Sequence, residues 1–258
     1  MGVKDRKGDC PRITGEAPVL NGAGSDSGLS PDNRGFRCID GCVRCCTDKG
    51  NPLELTLGDI IRLCKHLSMR GGDFFKDYCE VIWNRIPGTC LLIPSVGLIF
   101  PCRFLKDGKC SVYDIRPIHC RLFPESLIME NGSLSMYRNC GYECIDRGVV
   151  VNKDRKANIR RLKDIDRHEL KVTASYFENF KYCVALESEE LKKIESCLLE
   201  INSMERAEKR RELITESIDK RHREKVKEMF TKRLGKLNAL KAKLTGDLSV
   251  ISKSFGLY

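Results

Sequence analysis

Nine cysteines concentrate the chemistry of this sequence. Four stand in one run, Cys38-x3-Cys42-x2-Cys45-Cys46, and five follow as Cys102-x7-Cys110-x9-Cys120 and Cys140-x3-Cys144. On a helix the first four would fall within an arc of about 100°. Four thiols converging there have no use in an apolar core unless a soft cation binds them. Zn²⁺, Fe–S clusters and Cu(I) are the usual partners of thiolate. The adjacent pair Cys45-Cys46 sits poorly on one strain-free tetrahedral centre and better suits two metals or two corners of a cluster. The expected ligands are Cys38, Cys42, Cys45, Cys46, Cys102, Cys110, Cys120 and Cys140, with Cys144 as a ninth candidate. Fifteen Cys stand against four His. That balance favours an iron–sulfur cluster over Zn²⁺.

Charged neighbours flank the thiols. Arg103, Arg116 and Arg121 lie beside Cys102 and Cys120. Bound thiolates leave negative charge, which guanidinium groups offset and can hydrogen-bond. Arg116 and Arg121 are accordingly expected to support the bound cofactor, against the plainer reading of surface pairs with Asp107 or Asp114. His119 precedes Cys120 and could ligate, although a lone His is more often structural. Cys10, Cys64, Cys79, Cys90, Cys183 and Cys197 lie outside the motif and read as structural thiols, Cys64 on an apolar helix face. Cys90 is the likeliest extra ligand among them.

The elements that must hold these residues follow from pattern. The chain has 258 residues, 41% hydrophobic and 32% charged. The fold class is mainly α with small β hairpins: an irregular cysteine-rich metal-binding module plus a C-terminal helical arm. Residues 1–35 read as a disordered tail, 36–148 as the module and 149–258 as a basic helical region. The glycines of the tail lack the spacing and preceding strand of a dinucleotide loop. A helix is expected over Thr56 to Leu67, capped by Thr56 with Asp59 at the third position. A second is expected over Asp73 to Trp83. Leu91–Ile93 and Leu98–Phe100 flank Pro94-Ser95-Val96-Gly97 as a hairpin, and Asn131-Gly132 centres another over Ser126 to Tyr137. Residues 149–234 contain no Gly or Pro, so they read as helix with breaks. Ser188 is the expected cap of one helix, and the apolar stripe fades around Arg206 to Arg211.

The two cysteine blocks resemble a known family. The first is Cys38 to Cys46. The second is Pro101-Cys102-Arg103-Phe104-Leu105, Cys110 to Pro117 with its Arg116-Pro117, and Cys120-Arg121-Leu122-Phe123-Pro124. Together they are similar to the YkgJ-type cysteine-cluster family, also described as the CxxCxxCC zinc- or iron-chelating domain, over about residues 36–144. The first gap here is three residues, where the family name has two. That family includes flagellin lysine N-methylases. The resemblance therefore allows a protein-modifying methylase using S-adenosylmethionine, although no Gly-rich loop for that cofactor follows a strand. No methyl-donor or substrate residue can be assigned.

The net charge of +10 is uneven. Residues 206–243 carry fourteen Lys or Arg against six Asp or Glu. A protein partner or self-association through residues 186–244 is expected. Nucleic acid is less favoured, because Glu residues interleave the basic ones and aromatic side chains for stacking are scarce. Removing 206–258 is expected to leave the metal in place. No apolar run is long enough for a membrane span and no secretory signal stands at the start, so cytoplasmic, reduced thiols are expected rather than disulfides. Three functional readings remain: Fe–S or zinc binding in redox, metal handling or protein modification; a cluster-dependent methylase; and an interaction protein with purely structural zinc.

Overall fold

The structure, a computed structural model, describes residues 37–38, 43–47, 53–86, 88–123, 145–146, 153–201 and 203–254. The N-terminal side holds β1 (Arg37–Cys38), α1 (Arg44–Thr47), α2 (Leu57–His66), α3 (Gly71–Tyr78), β2 (Cys79–Arg85) and β3 (Leu91–Leu98). A short hairpin of β4 (Leu105–Lys106) and β5 (Lys109–Cys110) follows, then α4 (Ile118–Leu122) and β6 (Ile145–Asp146). The C-terminal side is α5 (Lys153–Phe177), β7 (Val184–Ala185), α6 (Ser188–Leu198), α7 (Ser203–Ser217) and α8 (Lys220–Ser254). Small antiparallel sheets sit among helices, as the sequence pattern implies. Among the described residues no helix is long and apolar enough to cross a membrane.

Helix α2 forms for the expected reason. Thr56 Oγ1 accepts from the Asp59 N–H at 3.0 Å, and Asp59 Oδ2 accepts from the Thr56 N–H at 3.2 Å. Each side chain thus satisfies an amide that the first turn leaves open. Ile60, Leu63 and Cys64 then face the core.

The next two expectations change. The second helix stops at Tyr78, and Cys79 to Arg85 is a strand. Val81, Ile82 and Trp83 suit a pleated surface, and their partner decides the matter: Val81 pairs with Val96, Ile82 with Ser95 and Trp83 with Pro94. Pro94 to Gly97 is accordingly no turn but the middle of β3. Val96 and Leu98 turn their backbone groups away from β2, bonding Leu55 N–H at 2.8 Å and Leu53 C=O at 2.9 Å. By strand parity Pro94 faces the same way. It lies between that bridge and the β7 pairing at Leu91 and Leu92, where its missing N–H costs no ladder bond. The expected Ser126–Tyr137 hairpin lies outside the described residues.

The breaker-free text is helical with interruptions, but these fall elsewhere than expected. Glu178 adopts a left-handed conformation with φ 55°, and β7 follows after a short 3₁₀ turn. The cap of α6 is Glu187, not Ser188. Glu187 accepts at the helix start, and Glu190 accepts from the Glu187 N–H at 2.8 Å. A carboxylate there also suits the positive helix end. Helix α7 runs unbroken through Arg206 to Arg211, and the break comes at Ile218 and Asp219.

One core draws on both sides of residue 149. Leu55, Ile60, Leu63, Phe74 and Phe75 pack with Phe177, Val226, Phe230, Leu234 and Leu237. Phe230 is fully buried, 5.7 Å from the Phe75 ring centre and edge-on to Phe177 at 4.9 Å. A second cluster joins Leu92 to Leu191, Ile194, Leu198, Leu213 and Ile218. Deleting residues 206–258 would strip apolar partners from both clusters, contrary to the expectation that the metal site survives alone. Helix α8 packs tightly on α3 at Gly71, where an added Cβ would meet the Leu234 carbonyl oxygen at 2.7 Å.

A buried carboxylate links the helices beneath the thiols. Asp59 is fully buried. Besides Thr56, it accepts from the Ile118 N–H at 3.0 Å, the first amide of α4, and from the Arg62 guanidinium. Arg62 also donates to Glu169 on α5 at 3.2 Å, and the Thr56 hydroxyl donates to the same carboxylate. Thr173, one turn further along α5, accepts from the Leu57 N–H at 2.7 Å. Asp59 and Glu169 together hold the Arg62 guanidinium above its ordinary range, although burial works against its charge. Three helices are thereby joined through one charged group.

Two outcomes follow. Gly71→Ala should destabilise the protein by about 1–3 kcal/mol, because backbone cannot yield as a side chain can. Gly72→Ala, with 3.6 Å to its nearest neighbour, should be close to neutral. Equal urea midpoints would refute the close contact. Asp59→Ala should cost about 3–5 kcal/mol, since it leaves the Arg62 charge without one partner and two amides without an acceptor. A loss below about 1 kcal/mol in the same titration would show the network to be dispensable.

Candidate metal centre

The second cysteine block is shaped by a turn. Asp107 and Gly108 both have positive φ, 48° and 72°, as a two-residue hairpin requires. The turn sets Cys110 opposite Leu105 and so folds Cys110 back towards Cys102. The Leu105 N–H bonds the Cys102 carbonyl at 3.0 Å and the Ser111 N–H bonds the Phe104 carbonyl at 2.8 Å. Phe104 is buried and stacks on Tyr78 at 4.8 Å, which fixes the loop to α3. Arg103 donates to the Asp77 carbonyl. The Asp107-Gly108 pair is itself the sequence signal for this hairpin.

Cys120 rides on α4, and α4 is held at several points. Its first amide bonds Asp59. Its His119 ring lies with Nδ1 2.9 Å from the Glu54 carbonyl oxygen and Nε2 3.0 Å from Asp166 on α5. Burial works against charge on His119, but the hydrogen bond and charge of Asp166, aided by Asp59 and Glu54, outweigh it and raise the pKa to about 8. Both ring nitrogens face acceptors, so His119 clamps α4 rather than ligating.

Arg121 donates from Nε to the Arg116 carbonyl and from Nη2 to the Asp114 carbonyl, both at 2.9 Å. It thus ties down the loop between Cys110 and Cys120. Its pKa is lowered by burial, with Arg62 adding to the effect. Arg116 lies over the Tyr113 ring, 4.2 Å from its centre.

The first block meets the second through the backbone. The Cys102 N–H donates to the Cys46 carbonyl at 2.7 Å. The single helix considered for residues 38–46 is not formed. Cys38 lies on β1, paired with Ile145, and only Arg44–Thr47 is helical. The ladder to β6 takes up the backbone of Cys38 and sets it opposite the residue that follows Cys144. The Cys38 side chain and all of Cys42, Cys140 and Cys144 lie outside the described residues, as does Cys10.

The remaining thiols affect one another. Cys46 is held strongly towards its protonated form by a hydrogen bond with Cys45, then by burial and by the charges of Cys45, Cys102 and Cys120. Cys120 is pushed up by burial, then by Cys102, Asp59, Cys45 and Cys110. Cys102 is raised by burial, with Cys110 and Cys45 contributing. Burial and neighbouring thiols both disfavour the thiolate form here. Among the described residues no three donor side chains yet stand close enough to share one ion. Of the expected ligands, Cys45, Cys46, Cys102, Cys110 and Cys120 are the ones whose side chains are described.

The other cysteines are placed differently. Cys64 and Cys79 are buried in the main core, where burial raises the Cys79 thiol further. Cys90 packs beside the second cluster. Cys183 is half-buried and Cys197 is exposed on α6.

Comparison with known proteins agrees with this geometry. Residues 37–139 match the model of the family described as "CxxCxxCC: Putative zinc- or iron-chelating domain". The match takes in Cys38, Cys42, Cys45, Cys46, Cys102, Cys110 and Cys120. The chain is 28% identical over 118 residues to the uncharacterized protein MJ0661 of Methanocaldococcus jannaschii, covering 45% of this chain and 59% of that protein. It thus spans less than two thirds of the length of that curated relative. No solved structure matches. The segment from residue 37 to 139 thus matches the family that its two cysteine blocks resemble, and the match supports metal binding by this segment.

Proposed function

We propose that this domain holds a polynuclear iron–sulfur cluster rather than isolated structural zinc, and serves redox chemistry or metal handling in the reducing cytoplasm. The observation that carries this reading is the crowding of thiols from separate chain segments around the Cys46–Cys102 hydrogen bond. One tetrahedral zinc takes four ligands and is served as well by His as by Cys. Here His119 spends both nitrogens on acceptors, and the adjacent Cys45-Cys46 pair suits a multi-iron unit whose corners need thiolate alone. Arg116 and Arg121 supply counter-charge. The two Arg121 donors bound to loop carbonyls leave it a charge partner more than a direct donor to sulfur.

Protein purified without oxygen should be brown, with visible thiolate-to-iron absorption and with iron and acid-labile sulfide in comparable amounts. Colourless protein with stoichiometric zinc would end the cluster reading and leave the domain intact.

Cys42→Ser and Cys120→Ser should each sharply lower metal content and stability, because the lost thiolate takes binding energy that is coupled to folding. Cys197→Ser should keep full metal and cost under about 1 kcal/mol. Elemental analysis of the three variants is the measurement. Full metal in Cys120→Ser beside none in Cys42→Ser would show that the two blocks serve different sites.

A further inference from the structure

A cleft of about 800 Å³ opens between β2 and the helix pair α7 and α8. Its base is the outer edge of a sheet whose order is β2-β3-β7, so among the described residues β2 pairs with a strand on one side only. Strand parity shows which backbone groups face out. Val96 and Leu98 bond residues 53–55, and Ile86 N–H bonds the Leu91 carbonyl at 2.9 Å. Odd positions of β3 therefore bond even positions of β2. The N–H and C=O of Val81 and Trp83 point into the cleft, and among the described residues they enter no backbone hydrogen bond. Cys79 to Trp83 spans about 13 Å at the rise of a strand. Phe75, Trp83 and Phe100 give the cleft apolar surface, while Lys209, Glu212 and Lys227 on the helices bring both signs of charge. Two donors of lining side chains, Trp83 Nε1 and Arg223 Nε, are buried with no acceptor among the described residues.

We propose that this cleft binds an extended peptide that adds to β2 as a fourth, outer strand. The backbone row supplies the hydrogen bonds, and an apolar–polar alternation in the partner matches the aromatic base and charged walls. A second copy of this chain fits less well. Its own β2 lies at the base of the same cleft, between the same helices, and could not enter. The proposal is independent of which metal the thiols hold.

Trp83 is the only Trp of the chain, so its fluorescence reports on the cleft alone. A displayed library of random ten-residue peptides is panned against the full-length, metal-loaded protein, and the enriched peptides are synthesised and titrated. The expected result is a saturable change in Trp83 emission. N-methylation of alternate peptide amides should weaken binding about tenfold in one phase and little in the other, because only alternate amides face β2. Val81→Pro removes an outward N–H that β3 does not use. It should also lose about tenfold, with its thermal unfolding close to that of the parent. The peptide phases carry the test even if that variant does not fold. Failure of every enriched peptide to perturb Trp83, or equal effects of the two methylation phases, would overturn strand addition. So would a concentration-dependent dimer in sedimentation equilibrium that Val81→Pro abolishes, which would assign the edge to self-pairing.

Discussion

The buried carboxylate of Asp59 is the constraint on which the rest depends. A charge with no exposure to water survives only with partners, and Asp59 has them on its own helix and on α4. It closes the cap of α2, accepts the first amide of α4 and pairs with Arg62, which passes the connection to Glu169 on α5. Its position fixes the start of the helix that carries Cys120. The same charge adds to the pressure that keeps the Cys120 thiol protonated. A cation bound among the thiols would reverse that effect, so the residue that builds the site also shapes its electrostatics.

Around this point the candidate thiol site is positioned by short-range devices that each control one cysteine. The Asp107-Gly108 turn returns Cys110 towards Cys102. The clamp of His119 between Glu54 and Asp166 holds α4, and the Cys46 carbonyl receives the Cys102 amide. None of these parts has an apolar core of its own large enough to stand alone. The Cys102–Cys110 loop rests on the core that takes Phe177, Phe230 and Leu234 from the helical half of the chain, and α4 packs through Ile118 and Leu122 on Ile159 and Ile165 of α5. The helices are thus structural partners of the thiol site, and α7 and α8 also form one wall of the cleft beside β2.

Local chemistry made some features legible without a structure. The capping box of Thr56 and Asp59 needs only three residues of spacing, and it forms as read. The helical character of residues beyond 153 follows from the absence of breakers. The two cysteine blocks are legible in residue type and spacing, and the family match falls over them.

Residue type and spacing therefore determined the match to a metal-chelating domain and the mainly helical frame. Tertiary structure alone decided what each ambiguous segment became. Cys79 to Arg85 contains residues that fit helix or strand, and only β3 makes it a strand. Pro94 looks like a turn until the gap beside β3 removes the need for its N–H. His119 looks like a ligand until Glu54 and Asp166, 65 and 47 residues away, occupy both its nitrogens. Asp59 reads as a cap, and its bonds to Ile118 and Arg62 appear only once the chain closes. The physical reason is common to all four. A short segment has several conformations of similar energy, and contacts distant in sequence supply the few kcal/mol that select one.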